Sequence, residues 1–363
     1  MWAVCLGACG PDPRGAAQAP DAQISNDAAT TCVIAREAEL DLENDAHNCG
    51  KPCHDCTVCG GTCVAGRCTA DTLVADTSAT LQLAVDATRV YWVDDGNDIP
   101  GSGRVFAMDK RGGEPTLLVE GETRIFGVAV DGSFLYWTNG ASAQTAGSVK
   151  RQPLGGGSAV TLDAAPTYNP AWIYAGAAGA YWFGTGNSGI YASTAFEPFR
   201  VFAPPHAGAI AVANGLVYYL HVESGGQELR ASPEGGGSAS VIATSATLEW
   251  NALAAGRDGI YMAAEVPGEV VRVPFGGGAP VVVASNQARP LWIVADDRAA
   301  YWTNLGPPAG SGGIMQLTPD GQPVELATIA SPMQLALDNS CIYVLSRDSQ
   351  TAPLRGSLLR IAR

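Results

Sequence analysis

From about residue 71 to its end the chain alternates short apolar runs with clusters of Gly, Pro, Asp and Asn, the pattern of strands separated by tight turns. In the first stretch the runs are Leu81 to Val85, Val90 to Val93, Arg104 to Met108 and Thr116 to Val119. The second run is apolar on both faces, with Val90 and Trp92 pointing one way and Tyr91 and Val93 the other. A strand of that kind is expected to lie between two sheets. Between the third and fourth runs comes a glycine turn: Arg111-Gly112-Gly113, then Gly155-Gly156-Gly157, Gly235-Gly236-Gly237, Gly276-Gly277-Gly278 and Asp320-Gly321 in later stretches. Hairpins there need residues that tolerate positive φ.

The stretch recurs. Tyr91, Tyr136, Tyr181, Tyr218, Tyr261, Tyr301 and Tyr343 follow one another at 45, 45, 37, 43, 40 and 42 residues, a period typical of one supersecondary unit repeated around a ring. Four antiparallel strands per unit at that period predict an all-β, seven-bladed β-propeller of four-stranded blades. The last unit has room for a third strand at Ser357 to Ile361 but not for a fourth. Thr72 to Ala75 matches the outer strand Thr116 to Val119, so an N-terminal strand is expected to close the ring, antiparallel to Ser357 to Ile361.

Composition supports a folded β protein: 47% hydrophobic and 15% charged residues over 363 positions, with 44 glycines and 23 prolines placed between the strands. A net charge of −14 with three lysines repels phosphate backbones, which argues against nucleic acid as a partner and against direct binding to anionic lipid. No apolar stretch reaches membrane-spanning length.

Residues 1–9 read as a truncated signal ending in Leu6-Gly7-Ala8-Cys9, a small-residue run into cysteine that resembles a bacterial lipoprotein cleavage box, with Cys9 as the lipidated residue. Residues 10–31 read as a flexible linker and 32–70 as a cysteine-rich module. Seven cysteines lie in that module: Cys32, Cys49, Cys53, Cys56, Cys59, Cys63 and Cys68. A segment this small and this poor in aliphatic residues needs staples. Zinc is one option, since Cys53, Cys56 and Cys59 have ligand spacing and His47 and His54 are near, but the pairs overlap. Disulfides are preferred for an exported chain. Cys341, far away, reads as a buried free thiol rather than a partner for Cys32.

The runs Tyr136-Trp137-Thr138-Asn139 and Tyr301-Trp302-Thr303-Asn304, with Tyr91-Trp92-Val93-Asp94, resemble the YWTD-type propellers of lipoprotein receptors over residues 71–363. That resemblance implies the fold. The chain departs from the family in having seven units where it has six blades, so no ligand site carries over. With its Cys/Gly module the chain also resembles exported propeller lipoproteins of myxobacteria, which implies a protein of the bacterial outer membrane or cell surface, or a secreted one.

Chemistry is sparse. Gly-x-Ser-x-Gly, His-Glu-x-x-His and phosphate-loop motifs are missing, no cofactor motif is present, and of four histidines only His206 offers a general base. Asp94-Asp95-Gly96-Asn97-Asp98 gathers oxygen ligands but lacks calcium-loop spacing and reads as an acidic turn, so no metal is expected there. Twelve residues before each repeated tyrosine stand Ala79, Arg124, Asn169, His206, Glu249, Arg289 and Ser331, expected to ring one mouth of the central channel. With Trp172, Trp250 and Trp292 just beyond them, Arg124, Asn169, His206, Glu249 and Arg289 form the candidate ligand site, for a peptide, protein or glycan. The alternatives are solvated loop positions for the polar set and ring filling for the tryptophans. The connections 94–103, 139–147, 304–313 and 346–356 are long and belong to consecutive units, so they are expected to raise a lip along one side of that mouth. The expected function is a monomeric, lipid-anchored binding module without catalytic machinery. The competing expectation is a propeller lyase or hydrolase working at the mouth.

Overall fold

The computed structural model describes residues 4–6, 23–27, 30–34, 40–51, 54–78, 82–96, 99–141, 146–164, 166, 168–176, 179–185, 189–193, 198–200, 207–223, 226–246, 249–306, 312–347 and 355–363. Two compact units are present: residues 72–339 with 343–359, and residues 1–71 with 340–342 and 360–363.

The larger unit is built of seven four-stranded antiparallel sheets, the blades of a propeller. Blade 1 is Leu83–Val85, Arg89–Asp94, Gly103–Asp109 and Thr116–Glu122, and blades 2 to 6 repeat the order with innermost strands at Ile125–Val130, Asn169–Gly176, Ala207–Ala213, Trp250–Ala255 and Pro290–Ala295. Blade 7 takes Pro332–Leu337, Cys341–Arg347 and Arg355–Ala362 from the end of the chain and Asp71–Ser78 from its beginning as the outer strand. Arg355 contacts Asp76, the Ser357 hydroxyl donates to the Ala75 carbonyl at 3.2 Å, and Arg360 contacts Asp71 at 2.8 Å. These pairs run in opposite chain order, so the closing strand is antiparallel, as expected. First and last blades are also tied by an ion pair from Lys110 to Asp338 at 2.8 Å.

The doubled aromatic of each second strand packs the ring. Tyr91 sits in one core with Trp137 of blade 2, Tyr136 with Trp182 of blade 3, Tyr181 with Tyr219 of blade 4, Tyr218 with Met262 of blade 5, and Tyr261 with Trp302 of blade 6. The tyrosine therefore fills the interface with the next blade and the residue after it the interface with the preceding one, because successive side chains leave a strand on opposite faces. The period is fixed by a second contact. The Tyr91 hydroxyl donates to Asp86 at 2.6 Å and that of Tyr136 to Asp131 at 2.6 Å, while each aspartate also accepts backbone N–H groups of the tight turn in between. Turn, strand and blade interface are thus locked by five to six residues of sequence in blades 1 and 2, which is why Val-Asp stands at the same distance before both tyrosines. The glycine turns behave as expected: Gly112, Gly156, Gly236, Gly277 and Gly321 all have φ between 80° and 101°.

In the smaller unit, short antiparallel strands Val4–Leu6, Gln23–Asp27 and Thr30–Ile34 pair across the stretches read as signal, linker and the start of the cysteine-rich module. The module beyond is stapled by disulfides Cys49–Cys63 and Cys56–Cys68 around a 3-10 turn, Cys56–Cys59, and a hairpin of Cys63–Val64 with Arg67–Cys68. One expectation fails. Cys341 is not a free thiol; it bonds to Cys59 across 282 residues. Sequence distance hid the pair, since ring closure alone brings residue 341 to residue 59. Cys9 and Cys53 lie outside the described residues, and Cys32 is described by its backbone only. Disulfides of this density belong to an oxidising compartment. Among the described residues no helix is long and apolar enough to cross a membrane.

Candidate functional site

A cavity of about 720 Å³ is lined by the innermost strands of all seven blades and is the propeller's central channel. Those strands share a local irregularity. In blades 2 to 6 the pairing with the second strand slips near the strand start, between Ile125 and Gly127, Pro170 and Trp172, Gly208 and Ile210, Trp250 and Ala252, and Pro290 and Ile293. A bulge bends the strand and re-aims the side chain beside it. The re-aimed position stands nine residues before each repeated tyrosine: Gln82, Gly127, Trp172, Ala209, Ala252, Trp292 and Gln334. All except Gly127 line the channel.

On the side of blades 7, 1 and 2 this position is spent on hydrogen bonds. The buried Gln82 amide donates to the Ile173 carbonyl at 2.8 Å and accepts from the N–H groups of Ile173 at 3.3 Å and Val128 at 3.2 Å. It thereby bonds both backbone groups of one residue, the exchange a neighbouring strand residue would make. Gly127 is required beneath it, because a Cβ there would stand 2.5 Å from the Ala171 carbonyl oxygen and 2.6 Å from the Gln82 amide oxygen. Gln334, also buried, accepts from the Leu83 N–H. Farther round, Gln227 clips blade 4 to blade 5 in the same manner, donating to the Trp250 carbonyl at 3.2 Å and accepting from the Trp250 N–H.

On the side of blades 3 to 6 the channel is aromatic and open. Trp172 is half-buried and stacks on Phe183 with ring centres 5.3 Å apart. Trp292 is half-buried with its backbone N–H bonded to Thr303 Oγ1 at 3.0 Å. Trp250 is 2% exposed. Between them, Gly208 leaves open space where a Cβ would meet nothing within 4 Å, and Asn251 is exposed. Among the described residues the lining contains no Asp, Glu, Lys, Arg or His. Its one titratable phenol, Tyr174, is pushed up by burial and stays neutral.

The three tryptophans expected at the site thus line the channel together. Arg124, Asn169, Glu249 and Arg289, expected at the channel mouth, are not among the residues lining the channel itself. Arg124, Arg289 and Ser331 adopt left-handed φ of 51°, 61° and 43°, and their carbonyls accept from Gly140, Leu305 and Arg347 at 2.9, 3.1 and 3.0 Å, which makes them hairpin-closing positions. The Arg124 side chain donates to the Ala141 carbonyl at 2.7 Å and lies 5.0 Å over Phe126; Asn169 accepts from the Ala141 N–H at 2.5 Å. Arg289 forms a surface ion pair with Glu265, and Glu249 is exposed. His206 lies outside the described residues, as do positions 97–98, 142–145, 307–311 and 348–354 of the long connections. Counting nine back from the tyrosine instead of twelve would have found the channel-facing ring; the signal was the alternation Gln, Gly, Trp, Ala, Ala, Trp, Gln at that offset.

No protein-family model matches the chain, and no curated protein does. Among solved structures it is similar to a puromycin-hydrolyzing peptidase of Mycobacterium tuberculosis, at 13% identity over 78% of this chain and 51% of that one, with a TM-score of 0.59. It is also similar to the computationally designed protein Ika8, at 13% identity over 84% and 89%, TM-score 0.57. A chain of a nidogen/laminin complex matches at 16% identity over 64% and 91%, TM-score 0.47. The chain spans about half the length of the peptidase. At these identities the likeness is one of fold.

Proposed function

We propose that this propeller is a binding module of an oxidising, extracytoplasmic compartment, tethered through a lipid on Cys9 and using the channel mouth as its site. The observation that supports binding over catalysis is the channel itself: a small-molecule-sized space with three tryptophans in its wall and no acid, base or nucleophile pair among the described residues that line it. The disulfides support export, and a net charge of −14 speaks against nucleic acid. Partners suited to such a mouth are a protein, a peptide or a glycan of the cell envelope. The test is thermal unfolding of the intact chain with peptide, glycan and lipid panels, for wild type and His206→Ala. A binding module gains Tm with at least one panel in both proteins and turns none over. Turnover that disappears in His206→Ala would establish the enzyme reading instead.

A further inference from the structure

We propose that the channel takes an uncharged, largely apolar small molecule, seated against the side of blades 3 to 6. This rests on the binding-module reading above and names its ligand class. Burying an ion against a wall with no countercharge is strongly unfavourable, and no ionised side chain is among the described residues that line this wall. The protein's own charge of −14 adds a penalty for anions. Polar recognition is limited as well. Gln82 and Gln227 hold backbone groups of neighbouring strands through both atoms of their amides, and Gln334 through its amide oxygen. The Asn251 amide, exposed and bonded to no other described residue, is left to meet a single polar group of a ligand.

Apolar surface, by contrast, is plentiful and open on this side. Trp172 and Trp292 are only half-buried, and Val222, in the second strand of blade 4, shows 46% of its surface and lines the same cavity. Gly208, in the innermost strand of the same blade, adds open space to this stretch of wall, since a Cβ there would meet nothing within 4 Å. A volume of about 720 Å³ lies inside the range of small-molecule pockets, roughly 300–1,000 Å³.

The experiment titrates the disulfide-intact chain with three fluorescent probes that share one aromatic scaffold: neutral phenylnaphthylamine, anionic anilinonaphthalenesulfonate and a cationic naphthyl trimethylammonium. Expected is one-to-one binding of the neutral probe, with both charged probes at least about tenfold weaker. Gly208→Leu puts a side chain into the space where a Cβ meets no atom within 4 Å and should weaken the neutral probe about tenfold or more in a folded protein. Should that variant fail to fold, Trp292→Ala and Asn251→Leu carry the test on the other two walls of the site. Equal or tighter binding of a charged probe overturns the ligand class. Neutral-probe binding that survives Gly208→Leu in a folded protein overturns the location. A wild-type chain that binds no neutral probe yet gains Tm with the peptide or glycan panel sinks this inference and leaves the binding module standing.

Discussion

The two sides of the channel are made from the same repeat and do opposite things with it. At the position nine before the tyrosine, blades 7 and 1 place glutamine and blade 2 glycine; blades 3 and 6 place tryptophan, and blades 4 and 5 alanine. On the first side the amides reach sideways and take over backbone groups at the inner edge of neighbouring strands, where a sheet would otherwise end in unpaired N–H and C=O. On the second side large apolar surface is left facing open space. A propeller has to satisfy its inner strand edges somewhere; on one flank the amides at this position do so, whereas on the other Gln227, from the third strand of blade 4, does it and leaves the position itself free for a ligand. The difference lies in one residue per blade, not in the fold.

The largest expected effect tests the claim that the glutamine side is structural. Gln82→Ala strips a buried amide from three backbone groups. Each orphaned buried group costs about 1–3 kcal/mol, so a loss of about 3 kcal/mol in urea unfolding is expected. Asn251→Ala on the facing side should change stability by no more than about 0.5 kcal/mol. Equal losses would erase the distinction.

Glycine sharpens the same contrast. Gly127→Ala drives a Cβ to 2.5 Å from a backbone oxygen and should cost about 2 kcal/mol. Gly208→Ala meets nothing and should be neutral, or stabilise by about 0.5 kcal/mol through the lower entropy of the unfolded chain. Paired thermal melts decide it. If Gly208→Ala costs as much as Gly127→Ala, the space at blade 4 is not open.

The fold was legible because its cause is periodic. Tyrosine recurs in every blade, the aspartate five residues before it bonds its hydroxyl in blades 1, 2 and 7, and the glycine turn recurs in blades 1, 2, 4, 5 and 6, so the ring is written several times over. Even closure could be read, since a missing strand at one end matched a spare strand at the other. Of the residues expected at the site, Trp172, Trp250 and Trp292 line the channel. The polar residues twelve before each tyrosine sit just outside the bulge, where Arg124, Arg289 and Ser331 turn their backbones to close hairpins. A bulge adds one residue without any mark in composition, so register at the strand start could not be counted from pattern alone. The Cys59–Cys341 bond escaped for a related reason: residues 282 apart meet only after closure.

The smallest effect is one the two sides should share, since the tyrosine locks do not depend on what faces the channel. Tyr136 lies in blade 2 and Tyr261 in blade 5; their hydroxyls donate to Asp131 at 2.6 Å and Asp258 at 2.7 Å. Tyr→Phe at either site should cost about 1 kcal/mol, the net worth of one such bond. Burial first, and then the hydrogen bond to its aspartate, pushes the Tyr261 phenol up from 10.0 to about 12, and the same causes raise Tyr136. A phenol whose pKa is higher folded than unfolded contributes no pH dependence below about 10, where both states keep the proton. Above that the unfolded chain ionises and the folded chain does not, so stability falls as pH rises from about 10 to about 12. Tyr261→Phe and Tyr136→Phe should each flatten that decline, by similar amounts, in urea unfolding followed from pH 9 upward to about 11.5. A steeper decline rescued by Tyr136→Phe alone would mean that the glutamine side also carries the tyrosine lock, and the two flanks would then differ in their cores as well as in their channel faces.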